Sequence, residues 1–271
     1  MFRTSTRLAL VLAVLLTAVP ATAQDDNDAL LKLAEPDFTL ASLPTSLRLP
    51  QFGSSFRVTH RFARPLNCDE CEDNLLEDLF GLDAGAVIGL EYRFGLVPSG
   101  YVGIRRTRAL KTIELFGQYG LARQTDAMPV EISLLGGVEG TDNFRGEYTP
   151  AFGLIASRLF GEGAAVHVEP MWVGNSNVNS DLGDDSTFIV GLGARVRVRP
   201  TVYLVAEVAP RLSGFDPGVS HKSFAIEKRA GGHLFQVNVS NSFSTSTGQL
   251  ARGGNDNDSW YLGFNISRKF F

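Results

Sequence analysis

Past its first two dozen residues this sequence has no apolar run approaching the roughly 20 residues that a membrane helix needs. If the chain meets a bilayer, it does so as strands. Cysteine is nearly missing: Cys68 and Cys71 are the only two, too few for a disulfide framework or a four-thiolate metal site. No histidine stands directly after Cys71, which removes covalent haem attachment. Positive charge is not in excess, with 25 Lys and Arg against 29 Asp and Glu and a formal net charge of −4, so the electrostatic footprint of a nucleic-acid binder is absent. Also missing after residue 50 is any Pro-, Ser- or charge-rich linker, and one domain is expected. No amphipathic helix of useful length competes, although "ECEDNLLEDLFG" has one or two turns' worth of pattern.

The start of the chain joins Arg3 and Arg7, an apolar run from Leu8 to Val19, and Ala21-Thr22-Ala23 as a small-residue cleavage site. That combination predicts a secretory signal peptide over residues 1–23, and the run is too short to anchor. Its loss takes the charge from −4 to −6. Residues 24–50 are expected as a periplasmic segment and 51–271 as the folded domain.

What fills that domain is alternation. In "GLDAGAVIGLEYRFG" Ile88, Leu90, Tyr92 and Phe94 alternate with Gly89, Glu91 and Arg93, the period of a strand with one apolar and one polar face. Twelve such segments recur: Ser54 to Ala63, Leu82 to Phe94, Tyr101 to Arg108, Lys111 to Ala122, Val130 to Val138, Tyr148 to Phe160, Ala165 to Val173, Ser186 to Arg199, Thr201 to Leu212, Ser223 to Arg229, His233 to Phe243 and Ser259 to Phe270. Short links such as "GEG", "RP" and "AGG" alternate with longer polar ones such as "GNSNVNSDLGDD", the tight "RTRALKT" excepted. Bacterial outer-membrane barrels show that asymmetry, with short periplasmic turns and longer outside loops. The class predicted is therefore all-β: a transmembrane, antiparallel, up-and-down barrel of about twelve strands. Its apolar face would meet lipid and its polar face a wet lumen.

That parity selects lumen candidates: Arg57, Arg61, Glu91, Arg93, Arg105, Glu114, Glu131, His167, Glu169, Arg195, Arg197, Arg199, Glu207 and Arg211. Paired across strands they would brace a narrow interior; left partly unpaired, the arginines would favour anions. Arg158 and His60 break the rule by sharing parity with apolar neighbours, which a bulge or an interfacial position explains.

Several segments, "PTSLRLPQFGSSFRVTHRF", "LFGLDAGAVIGLEYRFG", "GIRRTRALKTIELFGQYGLARQ", "PVEISLLGG" and "GGHLFQVNVSNS", together resemble the bacterial outer-membrane β-barrel family catalogued as domain of unknown function 5777. The resemblance covers roughly Leu43 to Phe271. It implies a barrel and carries over no catalytic residue.

Other chemistry is thinly supported. Cys68 and Cys71 are expected as a local disulfide in the first long loop. None of the histidines sits beside a recognisable serine motif, so an enzyme ranks third. Metal sites and cofactors are not expected; the acidic loop runs lack the ordered spacing of a calcium loop. The leading expectation is a monomeric narrow passive pore or transport-associated barrel in the bacterial outer membrane. It would pass a small anionic solute and interact through "WYLGFNISRKFF" with the barrel-assembly machinery. The alternative is a plugged structural or interaction barrel whose outside loops bind a partner. No nucleic-acid partner is expected.

Overall fold

The computed structural model describes residues 32–67, 85–177, 185–215 and 218–271. The strands are β1 (Ser54–Pro65), β2 (Ala86–Val97), β3 (Gly100–Thr107), β4 (Ile113–Ala122), β5 (Glu131–Gly140), β6 (Tyr148–Phe160), β7 (Ala164–Val173), β8 (Thr187–Arg199), β9 (Val202–Ala209), β10 (Arg211–Ser213), β11 (His221–Ala230), β12 (His233–Ser240) and β13 (Tyr261–Phe270). Consecutive strands pair antiparallel, and β1 pairs with β13 to close the ring. Both β9 and the three-residue β10 lie against β8, separated only by Pro210, whose carbonyl still accepts from Val190 at 3.0 Å. Proline lacks the donor a ladder needs, so one stave is written as two segments and the barrel has twelve. All twelve segments read from alternation correspond to these staves.

The faces follow the sequence parity. Ile88, Leu90, Tyr92, Val102, Ile104, Leu115, Phe152, Val168, Trp172 and Leu192 project outward and are exposed, while Glu91, Arg93, Arg105 and Glu114 are buried inside. A slip by one residue would exchange the two sets, so burial fixes the register. The two parity breaks are real and outward. Arg158 is exposed at the short-turn end of β6, its guanidinium 5.2 Å from the Phe160 ring. This is the position where a long cation can keep its head in water. His60 lies on the outer wall, stacked on Phe264 at 4.8 Å and close to Phe62 at 4.5 Å.

The departure from expectation is the segment ahead of β1. Residues 32–50, set apart from the barrel as periplasmic on sequence grounds, enter through the short-turn mouth and fold as a hairpin inside it. Thr39 bridges Pro44, Leu40 N donates to Leu43 O (2.8 Å) and Thr45 N donates to Phe38 O (2.9 Å). Phe38, Leu40, Leu43, Leu47 and Leu49 are at most 2% exposed and pack with wall residues Leu135, Ile155, Met171, Ile189 and Val205. A chain this apolar does not stay solvated when a half-apolar cavity lies beside it. Wall glycines supply the room: a Cβ on Gly95 would overlap Pro50 O, and one on Gly193 would overlap Leu40 Cδ1. The loop joining β12 to β13 folds in from the other mouth. Its short helix Thr247–Arg252 is capped by Ser246, which accepts from Gln249 N, and residues Thr247 to Ala251 are buried.

Candidate functional site

The lumen is the site, and its charges form a row around the wall. Arg57, Glu91, Arg105, Glu114 and Glu139 stand opposite one another on successive strands β1 to β5. Glu91 accepts from Arg93 (2.5 Å) and from Arg105 Nε (2.8 Å), and Arg105 also pairs with Glu114. The like-charged neighbours Glu114 and Glu139 are relieved by the inward loop: Arg252 lies 2.8 Å from Glu139, Ser246 Oγ donates to Glu139 (2.6 Å), and Thr247 N donates to Glu114 (3.2 Å). Cross-bracing of this kind engages Arg93 and Arg105 and leaves Arg57, at the end of the row, to other acceptors.

Across the lumen Arg195 makes a two-bonded pair with Glu227, at 2.8 and 2.9 Å. Glu227 is absent from the sequence candidates, although its parity with Ser223 and Ala225 on β11 marks it. The expected cluster Arg195, Arg197 and Arg199 does not form. Arg197 is half-buried at the rim, donating to Pro200 O and 3.4 Å from Glu162, and Arg199 is exposed beside the turn. The register shift between Arg197 and Arg199 opposite β9 carries the strand out of its inward parity. Arg211 is also only half-buried, at the opposite rim with its guanidinium 4.3 Å from the Phe215 ring.

The remaining candidates point inward and meet the hairpin. Glu131 pairs with Lys32 and with Arg48 Nε (2.9 Å). His167 Nε2 faces Glu35 Oε1 at 3.4 Å. Glu169 is fully buried with no hydrogen-bond partner among the described residues. Glu207 Oε2 accepts from the backbone N–H of Ala41, Ser42 and Leu43 at 3.0 to 3.1 Å. Arg57 and Arg61 donate to the carbonyl of Ala41 at 2.8 and 3.2 Å. The hairpin tip is thus gripped by a carboxylate on its N–H side and by guanidinium groups on its carbonyl side. The hairpin closes on the inward loop where Ser42 Oγ donates to Ser244 O at 2.9 Å.

Two hairpin acids show what this interior does to charge. Burial pushes the Glu35 carboxyl up to about 7, with Lys32 and Arg195 only partly opposing it. Burial acts the same way on Asp37, but Lys269 at 3.3 Å and the nearby Arg57 and Arg195 outweigh it and hold Asp37 below the usual carboxylate range. Neither acid was recognisable as a lumen residue, because residues 32–50 have no strand period. The available signal was the density of Phe38, Leu40, Leu43, Leu47 and Leu49, too apolar for a solvated tail.

Ser242, His221 and Glu207 are arranged as a hydrolase relay would be, with Ser242 Oγ 2.8 Å from His221 Nδ1 and His221 Nε2 2.8 Å from Glu207. The hydroxyl is 1% exposed and already accepts from Ser244 N, so no substrate carbonyl reaches it. The relay steadies the carboxylate that holds the hairpin. Among the described residues no group of three or more His, Cys, Asp or Glu side chains is placed to hold a metal ion. The expected Cys68–Cys71 disulfide lies outside the described residues.

Solved structures share this architecture. A KdgM porin aligns over 81% of this chain and 99% of its own, with TM-score 0.51 and 7% identity. A second KdgM porin structure, in complex with disordered oligogalacturonate, gives 0.52 and 6% over the same shares. A NanC porin gives 0.53 and 7% over 80% and 99%. At such identities the likeness establishes a porin-like fold alone. No curated protein matches the chain in sequence. The model of the membrane-bound β-barrel domain family DUF5777 matches residues 43–270, which spans every stave of the barrel. The chain belongs to the DUF5777 family of membrane-bound β-barrel domains.

Proposed function

We propose that this porin-like barrel is a gated conduit of the bacterial outer membrane, closed at rest by its own residues 32–50 and open to solute only once that hairpin has left the lumen. The supporting observation is the manner of attachment. Within the described residues, the backbone–backbone bonds of residues 33–49 run inside the hairpin, and the wall holds it through side chains: Glu207, Arg57, Arg61, Gln118, Gln236 and Asn265. Water can replace such bonds group for group, as it cannot replace a continuous ladder within the wall. A standing passive pore fits poorly with a filled interior in which Arg195, His167 and Glu169 are at most 2% exposed.

Opening is rare at rest in this reading. Withdrawing Phe38, Leu40, Leu43, Leu47 and Leu49 into water costs at most roughly 7–15 kcal/mol at 1.5–3 kcal/mol each, an upper bound because the released segment and the emptied wall re-bury part of that surface, so openings are read as slow labelling and isolated current steps. A permanently filled interaction barrel is the second reading, favoured by the Thr247–Arg252 helix that packs the lumen from the opposite mouth. The test is Ser42→Cys in a Cys68→Ser, Cys71→Ser background, refolded into lipid and probed with a membrane-impermeant thiol reagent while conductance is recorded. Labelling of Cys at position 42 together with current steps supports the conduit; a folded barrel showing neither is the filled one.

A further inference from the structure

The lumen cations fall into two groups by where their acceptors lie. Arg93, Arg105 and Arg195 are paired with wall glutamates, although Arg93 also donates to Phe38 O (3.2 Å) and Arg195 to Thr39 O (2.7 Å) of the hairpin. Arg57, Arg61 and Lys269 have no wall carboxylate within ion-pair distance among the described residues. Arg57 stands opposite Glu91 in register, but that carboxylate is taken by Arg93 and Arg105. Arg57 instead donates to Thr39 Oγ1 and to the carbonyls of Leu40 (3.3 Å) and Ala41 (2.8 Å). Arg61 donates to Ala41 O (3.2 Å), to Asn265 Oδ1 (2.8 Å) and to His60 O (3.2 Å). Lys269 lies 3.3 Å from Asp37.

Neutral donors complete the pattern. Gln236 Nε2 donates to Leu40 O at 3.1 Å and Asn265 Nδ2 to Ala41 O at 3.1 Å. Three side chains, Arg57, Arg61 and Asn265, therefore converge on one carbonyl oxygen. That is the donor geometry of an oxyanion receptor filled by a neutral stand-in. When the hairpin leaves, Asp37 leaves with it: Lys269 loses its carboxylate, Arg57 loses Thr39, Leu40 and Ala41, and Arg61 keeps Asn265 and His60 but loses Ala41.

We propose that Arg57, Arg61 and Lys269, with the amides of Gln236 and Asn265, form an anion site that the hairpin occupies in the closed state and that a carboxylate- or sulfate-bearing solute takes over in the open one. The proposal rests on the gated-conduit reading. Lys269 stands opposite Ser55, six residues from Arg61 along β1, so the row is about 20 Å long at ~3.3 Å per residue. A row of that length suits a solute carrying several anionic groups.

Hairpin and anion then compete, and the competition is measurable on the full chain. In the Ser42→Cys protein described above, citrate is added against sodium chloride of equal ionic strength and the rate of thiol labelling is followed. At ten times its dissociation constant an anion that binds only the vacated site raises the undocked population roughly tenfold. Faster labelling with citrate than with chloride, abolished by Arg57→Gln with Arg61→Gln, supports the site. The double variant itself should label faster at baseline, since the hairpin loses its grip. Should it not refold, Lys269→Gln takes its place, with a reduced citrate response expected. Labelling that occurs but is indifferent to citrate overturns the anion site and leaves the gate standing. Absence of labelling under every condition overturns both.

Discussion

Glu35 Oε1 and His167 Nε2 face each other at 3.4 Å inside the closed lumen, both side chains fully buried, and among the described residues neither of these atoms has a hydrogen-bond partner. The charged groups around them are Lys32 of the hairpin, Glu131 of β5, Glu169 of β7, Arg195 of β8 and Glu207 of β9. Burial raises Glu35 from 4.5 to about 7, so the docked hairpin holds a proton that the free one has lost. A raised acid stabilises docking fully below its ordinary value and loses that contribution as pH climbs through the raised one. Docking should weaken between about pH 4.5 and 7, by on the order of 3 kcal/mol. Thiol labelling at position 42 should speed up across that window, and Glu35→Gln should flatten the profile. An unchanged profile in Glu35→Gln would show that the proton sits elsewhere.

Asp37 behaves oppositely. Its charge is held by Lys269 and by Ser267 Oγ at 2.9 Å, and Asp37→Asn leaves a buried ammonium unmatched. Removing one partner of a buried pair costs about 3–5 kcal/mol, here from hairpin docking and not from the wall. Limited proteolysis of the folded barrel should cut residues 32–50 in Asp37→Asn while the strands stay protected.

Glu207→Gln removes the charge from the acceptor of three backbone N–H groups at the hairpin tip. Hydrogen bonds to charged groups are worth about 1.5–3 kcal/mol each, so this variant should release the tip more than any single neutral lumen substitution. Hydrogen exchange at Ala41, Ser42 and Leu43 reads it directly; full protection of those amides would contradict the arrangement.

Gly193→Val puts a side chain where Leu40 Cδ1 lies. Overpacking of a filled core costs about 1–3 kcal/mol, and the hairpin, lacking ladder bonds to the wall, is the part that yields. Far-UV circular dichroism should be unchanged while labelling at position 42 rises.

Arg195→Glu should be severe and Arg197→Glu mild. The first faces Glu227 with a second carboxylate in a dry site, breaking a pair that measures 2.8 and 2.9 Å, at a cost of about 3–5 kcal/mol. The second loses a rim contact to Glu162, whose side chain is 73% exposed, which is worth at most about 1 kcal/mol. Equal thermal stability of the two variants would show that Glu227 does not carry the pairing.

Sequence alone determined the barrel. A period of two over a dozen segments, with Ile88, Leu90 and Tyr92 on one parity and Glu91 and Arg93 on the other, is a local pattern that one strand displays without reference to its neighbours. The link lengths then distinguished the short-turn mouth from the long-loop mouth. The lumen's occupant was decided by tertiary structure. Residues 32–50 have no strand period; their fate depends on the volume left by Gly95 and Gly193 and on the acceptors presented by Glu207 and the donors presented by Arg57 and Arg61, which the closed ring brings together from β1, β2, β8 and β9. Parity could place Arg195 inward, but which arginines are matched by the wall and which by the hairpin follows from distances across the lumen between residues far apart in the chain.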